Sequence, residues 1–525
     1  MRLQILICTA AIILAAACSR PEEKSGLLQD FDYFFEQLEC VHPDPYTAFG
    51  GEKAFHRSVG ELRKELEHCD ALDADELQVR ISEFLVPLHD GHTWCGHRSI
   101  AQGDTLYALP FSFRPTKDDL FMWVATDEYS GLLGSVLKSI EGVDVDELLD
   151  RLAVCVSSEN RYGLLDVVRN TQFNTEYLKF LLDSFDHNSV AVGLRMPDGA
   201  DTTVTVRMLD MDEVHSKSTK AVSADNRFPS GNFEYKWADR DKVVMAFRCT
   251  HVISRDCLEY MRDRGMEYQS ALDWAWNGKS IEDVPAIAEC FGSMLQEMKD
   301  AGAQHLIIDL RSNGGGWSPI VFATLYQLYG DEFLSKDLGA HYESRISELY
   351  LKKNNTTLEE FNAANGTNLK IGDYTNRGIE EGASMVIDDE IRKSMIDGYI
   401  CMDKDMLYAQ GGKPLYKPEH IYGVTDTGTF SAAFHYAFML WRMGATVVGV
   451  PSSQAPNTFM ESTPFTLPNS GIDCSISNAL QIFLPEDDPR AKVFWPDWML
   501  TYDDYRRLNF DSRAELIYIL ETATK

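Results

Sequence analysis

The stretch HLIIDLRSNGGGW, residues 305–317, runs an apolar strand into Asp309, Arg311 and Asn313 and then into three consecutive glycines. Glycine lacks a Cβ, so Gly314, Gly315 and Gly316 can take φ > 0 and turn their N–H groups toward a ligand, as phosphate loops and oxyanion holes do. A phosphate loop calls for Lys and then Ser or Thr straight after the glycines, and here Trp317 follows. Asp309 and Arg311 are alternate residues of the strand and point the same way, so they read as a salt bridge that supports the glycine turn.

A second segment, IYGVTDTGTFSAAFHYAFMLWRMGATVVGV at 421–450, reads as strand, tight turn, helix and strand, with Ser431 where the turn opens the helix. Two readings fit that position. Ser431 is an N-cap, or it is a nucleophile in the positive end of the helix dipole, next to the unpartnered N–H of Ala432.

Order, spacing and flanks of DLRSNGGG at 309–316 and TFSAA at 429–433 resemble the tail-specific, or C-terminal processing, serine protease family. LHDGHT at 88–93 resembles the Asp-Gly-His-Thr signature of the branch near the tricorn protease core, and LPNSG at 467–471 and Pro496-Asp497 are weaker echoes. The likeness spans roughly residues 27 to 500. One branch of the family pairs its serine with a lysine downstream, but no lysine lies between Ser431 and Lys492. The resemblance therefore implies a Ser431–His92 pair, with His92 as general base. It also implies an oxyanion hole made by Ala432 and one glycine of the turn, here assigned to Gly315. It places no third residue: Arg490 stands where the tricorn-like glutamate is expected, leaving Glu461, Glu486, Asp487 and Asp488 as alternatives. Phe434 replaces a glutamate common in relatives, a second departure that keeps an inactive relative among the readings.

His89, His92 and His97 lie near Asp90 and Cys95, but their spacing matches no helical His-Glu-x-x-His pattern and no Cys-x-x-Cys closes a site. No metal and no cofactor are expected. The formal charge of −32 has no Lys/Arg-rich stripe to interrupt it, which excludes a nucleic-acid partner. The eleven cysteines are irregularly spaced, which argues for buried thiols and against a disulfide scaffold.

MRLQILICTAAIILAAAC at 1–18 reads as an export signal, too short to span a membrane, ending in a lipoprotein-like site with Cys18 as the lipidated residue. An ordinary signal peptide cleaved after Ala17 gives the same first residue. The expected protein is an exported bacterial lipoprotein of the outer membrane, on the periplasmic or cell-surface face, bound to membrane by its lipid alone.

The fold expected is α/β with α+β elements. A crotonase-like α/β catalytic core, implied by the resemblance, occupies 232–330 and 420–500. Residues 1–17 are the signal, 18–26 a tether, and 27–104 a helical region carrying His92, with Leu28, Phe31, Phe35 and Leu38 on one face of its first helix. Residues 105–231 form a β-rich region resembling a degenerate PDZ module, for peptide capture or for packing. Residues 331–419 are an insertion, a lid or a surface decoration, and 501–525 end in a helix. The function expected is a serine endopeptidase acting on polypeptides. The alternatives are an inactive relative that binds peptides or apolar ligands, and a hydrolase of small acyl substrates. The sequence assigns no oligomeric state.

Overall fold

The computed structural model describes residues 21–96, 106–171, 173–182, 189–217, 219–222, 224–336, 341–378, 386–398 and 404–522. The N-terminal layer consists of α1 (Pro21–Val41), α2 (Glu52–His68) and α3 (Ala74–Leu85). Apolar residues three and four apart turn one face of α1 inward, burying Leu27, Phe31, Phe34, Phe35 and Leu38. Leu28, expected on that face, is only half-buried and packs at its margin. The Asp73 carboxylate caps α3 by accepting from Glu76 N at 2.8 Å. A single 3₁₀ turn then leads through His92 into β1 (Trp94–Cys95).

Next come β2 (Phe111–Pro115), β3 (Leu120–Thr126), β4 (Val136–Ile140), β5 (Ser189–Arg195) and β6 (Asp201–Arg207). They pair antiparallel in one seven-stranded sheet. α4 (Arg161–Thr171) packs Leu164, Leu165 and Val168 into the core of that sheet.

The central layer starts with β7 (Glu234–Asp239), β8 (Val244–Arg248), α5 (Ile287–Ala301), β9 (His305–Asp309) and α6 (Pro319–Tyr329). The 331–419 segment supplies β10 (His341–Arg345) and β11 (Tyr374–Gly378) to a different sheet. The chain then returns as β12 (His420–Thr425), α7 (Ala432–Arg442) and β13 (Thr446–Gly449), continues through β14 (Thr458–Thr466) and β15 (Asp473–Ile482), and ends in α8 (Ala514–Thr522).

The order of the central sheet is β7-β8-β9-β12-β13, and its last four strands are parallel. Strand alternation decides what each side buries. Leu306 and Ile308 join the core shared with α5, α6 and α7, while Ile307 joins Leu516 and Ile519 of α8 on the other face. Asp309 lies level with Val424 of the neighbouring strand. The turns that follow β9 and β12 therefore leave the sheet side by side at its carboxyl edge, where open parallel sheets place their sites. In the third sheet β15 lies between β1 and β10, with β11 beyond β10 and β14 paired to β15. The insertion is thus woven into the sheet that carries the chain onward from His92. No described helix is long and apolar enough to cross a membrane.

Candidate active site

Ser431 precedes the first turn of α7 with φ 52° and ψ −122°, a conformation that costs a non-glycine residue energy and persists only where its surroundings impose it. Those surroundings are specific. Ser431 N donates to Gln454 Oε1 at 2.5 Å, Phe430 N to Asn313 O at 2.9 Å, and Thr429 Oγ1 to Leu310 O at 2.9 Å. The Ser431 side chain makes no capping bond to the helix, so the N-cap reading does not describe it. Ala432 opens the helix, where an amide has no intrahelical acceptor.

The three glycines serve separate ends. A Cβ on Gly316 would fall 2.2 Å from Val252 O, because this turn is stitched to residue 252 by Trp317 N donating to Val252 O at 2.7 Å. A Cβ on Gly315, where φ is +106°, would fall 2.7 Å from Ser431 Cβ and 2.9 Å from Ala432 N. Gly314 has open space beside it. Gly315 thus packs directly on the serine turn, but its own N–H donates to Asn313 Oδ1 at 2.9 Å and is occupied.

Asp309 and Arg311 form the expected pair, through Arg311 Nε to Asp309 Oδ1 at 2.8 Å and Nη2 to Oδ2 at 2.9 Å. Arg311 Nη1 goes on to Glu515 Oε2 of α8 at 2.6 Å. Burial would raise the Asp309 carboxyl, but Arg248, Arg311 and Arg513 hold it far below the usual carboxylate range. Asp426 joins the two turns, accepting from Ser312 N at 2.7 Å and Gly428 N at 3.0 Å. Arg169 of α4 reaches across to Ser312 Oγ at 2.9 Å and Asp426 Oδ2 at 3.1 Å.

His92 is buried, and its ring stacks on that of Phe430 at 4.5 Å between centroids. His92 N donates to Asp90 Oδ1 at 2.8 Å, and Ser477 Oγ donates to the same oxygen at 2.9 Å. Burial would raise the Asp90 carboxyl, but His42, 3.4 Å away, and the charge of His92 hold it down at about 2. Neither ring nitrogen of His92 has a hydrogen-bond partner among the described residues. The resting site thus sets His92 against the residue before Ser431 without joining the two side chains.

The carboxylate beside the imidazole is one that sequence reading missed. Glu159 Oε1 lies 3.8 Å from His92 Nδ1, and Glu159 Oε2 accepts from Ala455 N at 2.7 Å. Ser157 and Asp90 fasten this segment by reciprocal bonds, Ser157 Oγ to Asp90 O at 3.1 Å and Asp90 N to Ser157 Oγ at 3.0 Å. Burial pushes the Glu159 carboxyl up, against the pull of His92. None of the sequence candidates for a third residue has a described contact with His92. Glu461 faces Lys353 at 3.7 Å, Glu486 and Asp487 are exposed, and Asp488 accepts from Arg490 N at 2.8 Å. Phe434 is buried among aromatic rings, with Phe494 at 5.6 Å and Phe438 at 6.0 Å.

The expectation of no metal rested on sequence neighbours. His97 and Cys18 lie outside the described residues, and His89 is exposed, with its ring nitrogen near Ser158 O. The fold instead brings together Asp90, His92 and Glu159, whose donor atoms lie within 4.8 Å of one another. A cleft runs past these groups, lined by Glu159, Arg169, Trp274, Gly314, Gly428 and Phe430.

Residues 280–482, which hold both turns, match the model of peptidase family S41. The region that carries both turns is thus similar to peptidase family S41. The match indicates a serine peptidase. The S41 region sits in a fold shared with two solved structures. Mature CPAF complexed with lactacystin is 16% identical, with 96% of this chain and 99% of that chain covered and a TM-score of 0.59. Mature CPAF alone is 16% identical, with 95% and 98% covered and a TM-score of 0.59. The photosystem II D1 C-terminal processing protease is 14% identical over 92% of this chain and 95% of that chain, with a TM-score of 0.39. No curated protein matches the chain.

Proposed function

We propose that the chain hydrolyses peptide bonds through an acyl-enzyme formed on Ser431, with His92 as general base and then general acid. The carrying observation is Ser431 itself, held at positive φ, not capping its helix, and packed against Gly315. Ser431 Oγ attacks the scissile carbonyl while His92 Nε2 takes its proton, and the imidazolium returns that proton to the leaving amine. Ala432 N–H and Gly315 N–H receive the oxyanion, the second by exchanging Asn313 Oδ1 for the developing charge. Glu159, behind Nδ1, orients the ring and balances the imidazolium, and water then releases the acyl group. The open cleft, lined by Glu159, Gly314 and Trp274 among others, supports a polypeptide substrate over a small ester.

A serine-reactive fluorophosphonate probe tests this reading. Labelling is expected at Ser431 in the folded wild type and is lost in Ser431→Ala and His92→Ala. An unlabelled, folded wild type favours the inactive, peptide-binding reading.

We further propose export and lipidation at Cys18, which places the substrates among exported or extracellular polypeptides. The apolar run before Cys18 supports this reading. In cells fed labelled palmitate, the chain should take up label and Cys18→Ala should not.

A further inference from the structure

We propose that Asp90, His92 and Glu159 form a site for a divalent metal of the zinc class, and that its occupancy switches the peptidase off. The switch rests on the Ser431–His92 reading, whereas the site does not.

Buried polar atoms are almost always paired, and buried charges need a partner or a metal. Around His92 the pairing is loose: His42 Nε2 stands 3.4 Å from Asp90 Oδ2 and Glu159 Oε1 3.8 Å from His92 Nδ1, and neither contact closes into a hydrogen bond. His42 Nε2, Asp90 Oδ2, both ring nitrogens of His92 and Glu159 Oε1 are all buried without a hydrogen-bond partner among the described residues. The side chains of Asp90 and Glu159 are at most 1% exposed, and that of His92 is 6% exposed. One donor atom from each of the three residues lies within 4.8 Å of the others. Zinc holds nitrogen and oxygen ligands at about 2.1 Å, which spaces them about 3.4 Å apart in a tetrahedron. The 3.8 Å between His92 Nδ1 and Glu159 Oε1 closes to that distance with a small side-chain movement.

An imidazole with two carboxylates balances the charge of a divalent ion, and three protein ligands leave a fourth position for water. The second oxygens are already held. Asp90 Oδ1 accepts from His92 N and Ser477 Oγ, Glu159 Oε2 accepts from Ala455 N, and His42 Nε2 stands 3.4 Å from Asp90 Oδ2. Outer support of this kind orients metal ligands. Glu159 and Gly91 line the cleft, which gives an ion its way in.

A metal on Nδ1 takes that lone pair and leaves the ring proton on Nε2. The imidazole then has no lone pair with which to accept the proton of Ser431, so the metal removes the base while leaving the serine in place.

The test uses the full chain with Ser431→Ala, stripped by chelator and titrated with zinc by calorimetry and with cobalt by visible absorption. One saturable site is expected, weakened about tenfold or more when His92→Ala or Glu159→Gln is added, with circular dichroism confirming that each variant is folded. In the wild type, zinc should slow fluorophosphonate labelling of Ser431, and chelator should restore it. Binding in the Ser431→Ala chain that is absent, or unchanged by His92→Ala, overturns the site. Binding there with a wild-type labelling rate insensitive to zinc overturns the switch. A wild type that never labels, beside a Ser431→Ala chain that binds, counts against the nucleophile and the switch but not against the site.

Discussion

A methyl group on Gly315 has nowhere to go, because it would sit 2.7 Å from Ser431 Cβ on a residue whose φ of +106° already disfavours a side chain. Gly315→Ala should therefore displace the serine turn and abolish fluorophosphonate labelling, while Gly314→Ala, with open space beside it, should label at close to the wild-type rate. Comparable labelling of the two variants would remove Gly315 from the oxyanion hole. Glu159 invites a second substitution. Replacing the carboxylate behind a serine protease histidine by an amide costs about 10⁴-fold in kcat. Glu159→Gln should lower kcat of peptide hydrolysis by about 10²-fold or more with KM little changed, and Glu461→Gln, facing Lys353, should leave both near wild type. Ser431 and His92 stood out in the sequence because each sits in a contiguous motif. Glu159 sits in no motif, and only the bonds from Ser157 to Asp90 and from Ala455 to Glu159 carry it to the ring. The occupied amide of Gly315 was equally hidden, since it depends on which way the Asn313 side chain turns.

At the scale of elements, strand β9 is tied to the C-terminal helix through Arg311, which bridges Asp309 and Glu515 with all three side chains buried. Removing one member of such a network leaves charges without partners and costs about 3–5 kcal/mol. Arg311→Ala should lose stability on that scale in urea unfolding, and a loss below about 1 kcal/mol would show that water reaches the site and relieves the charges. The strands and helices of the central layer were legible because short continuous apolar runs of strand length alternate there with longer apolar stretches of helix length. The insertion was not. Residues 341–345 are all half-buried and show no alternation, so nothing in HYESR announces a strand. Its pairing with β15 comes from backbone hydrogen bonding, to which a hydropathy pattern is blind. LPNSG, read as a faint catalytic echo, serves the architecture: Asn469 N and Ser470 N donate to Asp30 of α1 at 2.9 and 2.6 Å.

For the whole molecule, stability should depend on pH through His435. Burial depresses its ring to about 4, against the hydrogen bond it shares with Gln481, so the folded state keeps it neutral. The unfolded chain takes up a proton on this ring below about 6.5, the ordinary value. The contribution is therefore intact above that pH and is lost as pH falls toward 4, by up to about 3 kcal/mol at 1.36 kcal/mol per unit. Urea midpoints measured from pH 7 to 4 should fall more steeply in the wild type than in His435→Gln. Parallel slopes would show that other groups govern acid unfolding.

The weave of the third sheet also sets a timetable. Strand β1, two residues beyond His92, pairs with β15, which the ribosome makes almost four hundred residues later, and β10 of the insertion waits on the same partner. Contacts so distant along the chain form late. Until residue 482 has emerged, the histidine motif has no strand to dock on. On the proposed Ser431–His92 mechanism, a half-made chain would carry its serine turn without a positioned base, and the order in which its pieces arrive would keep a nascent molecule from cutting itself or its neighbours.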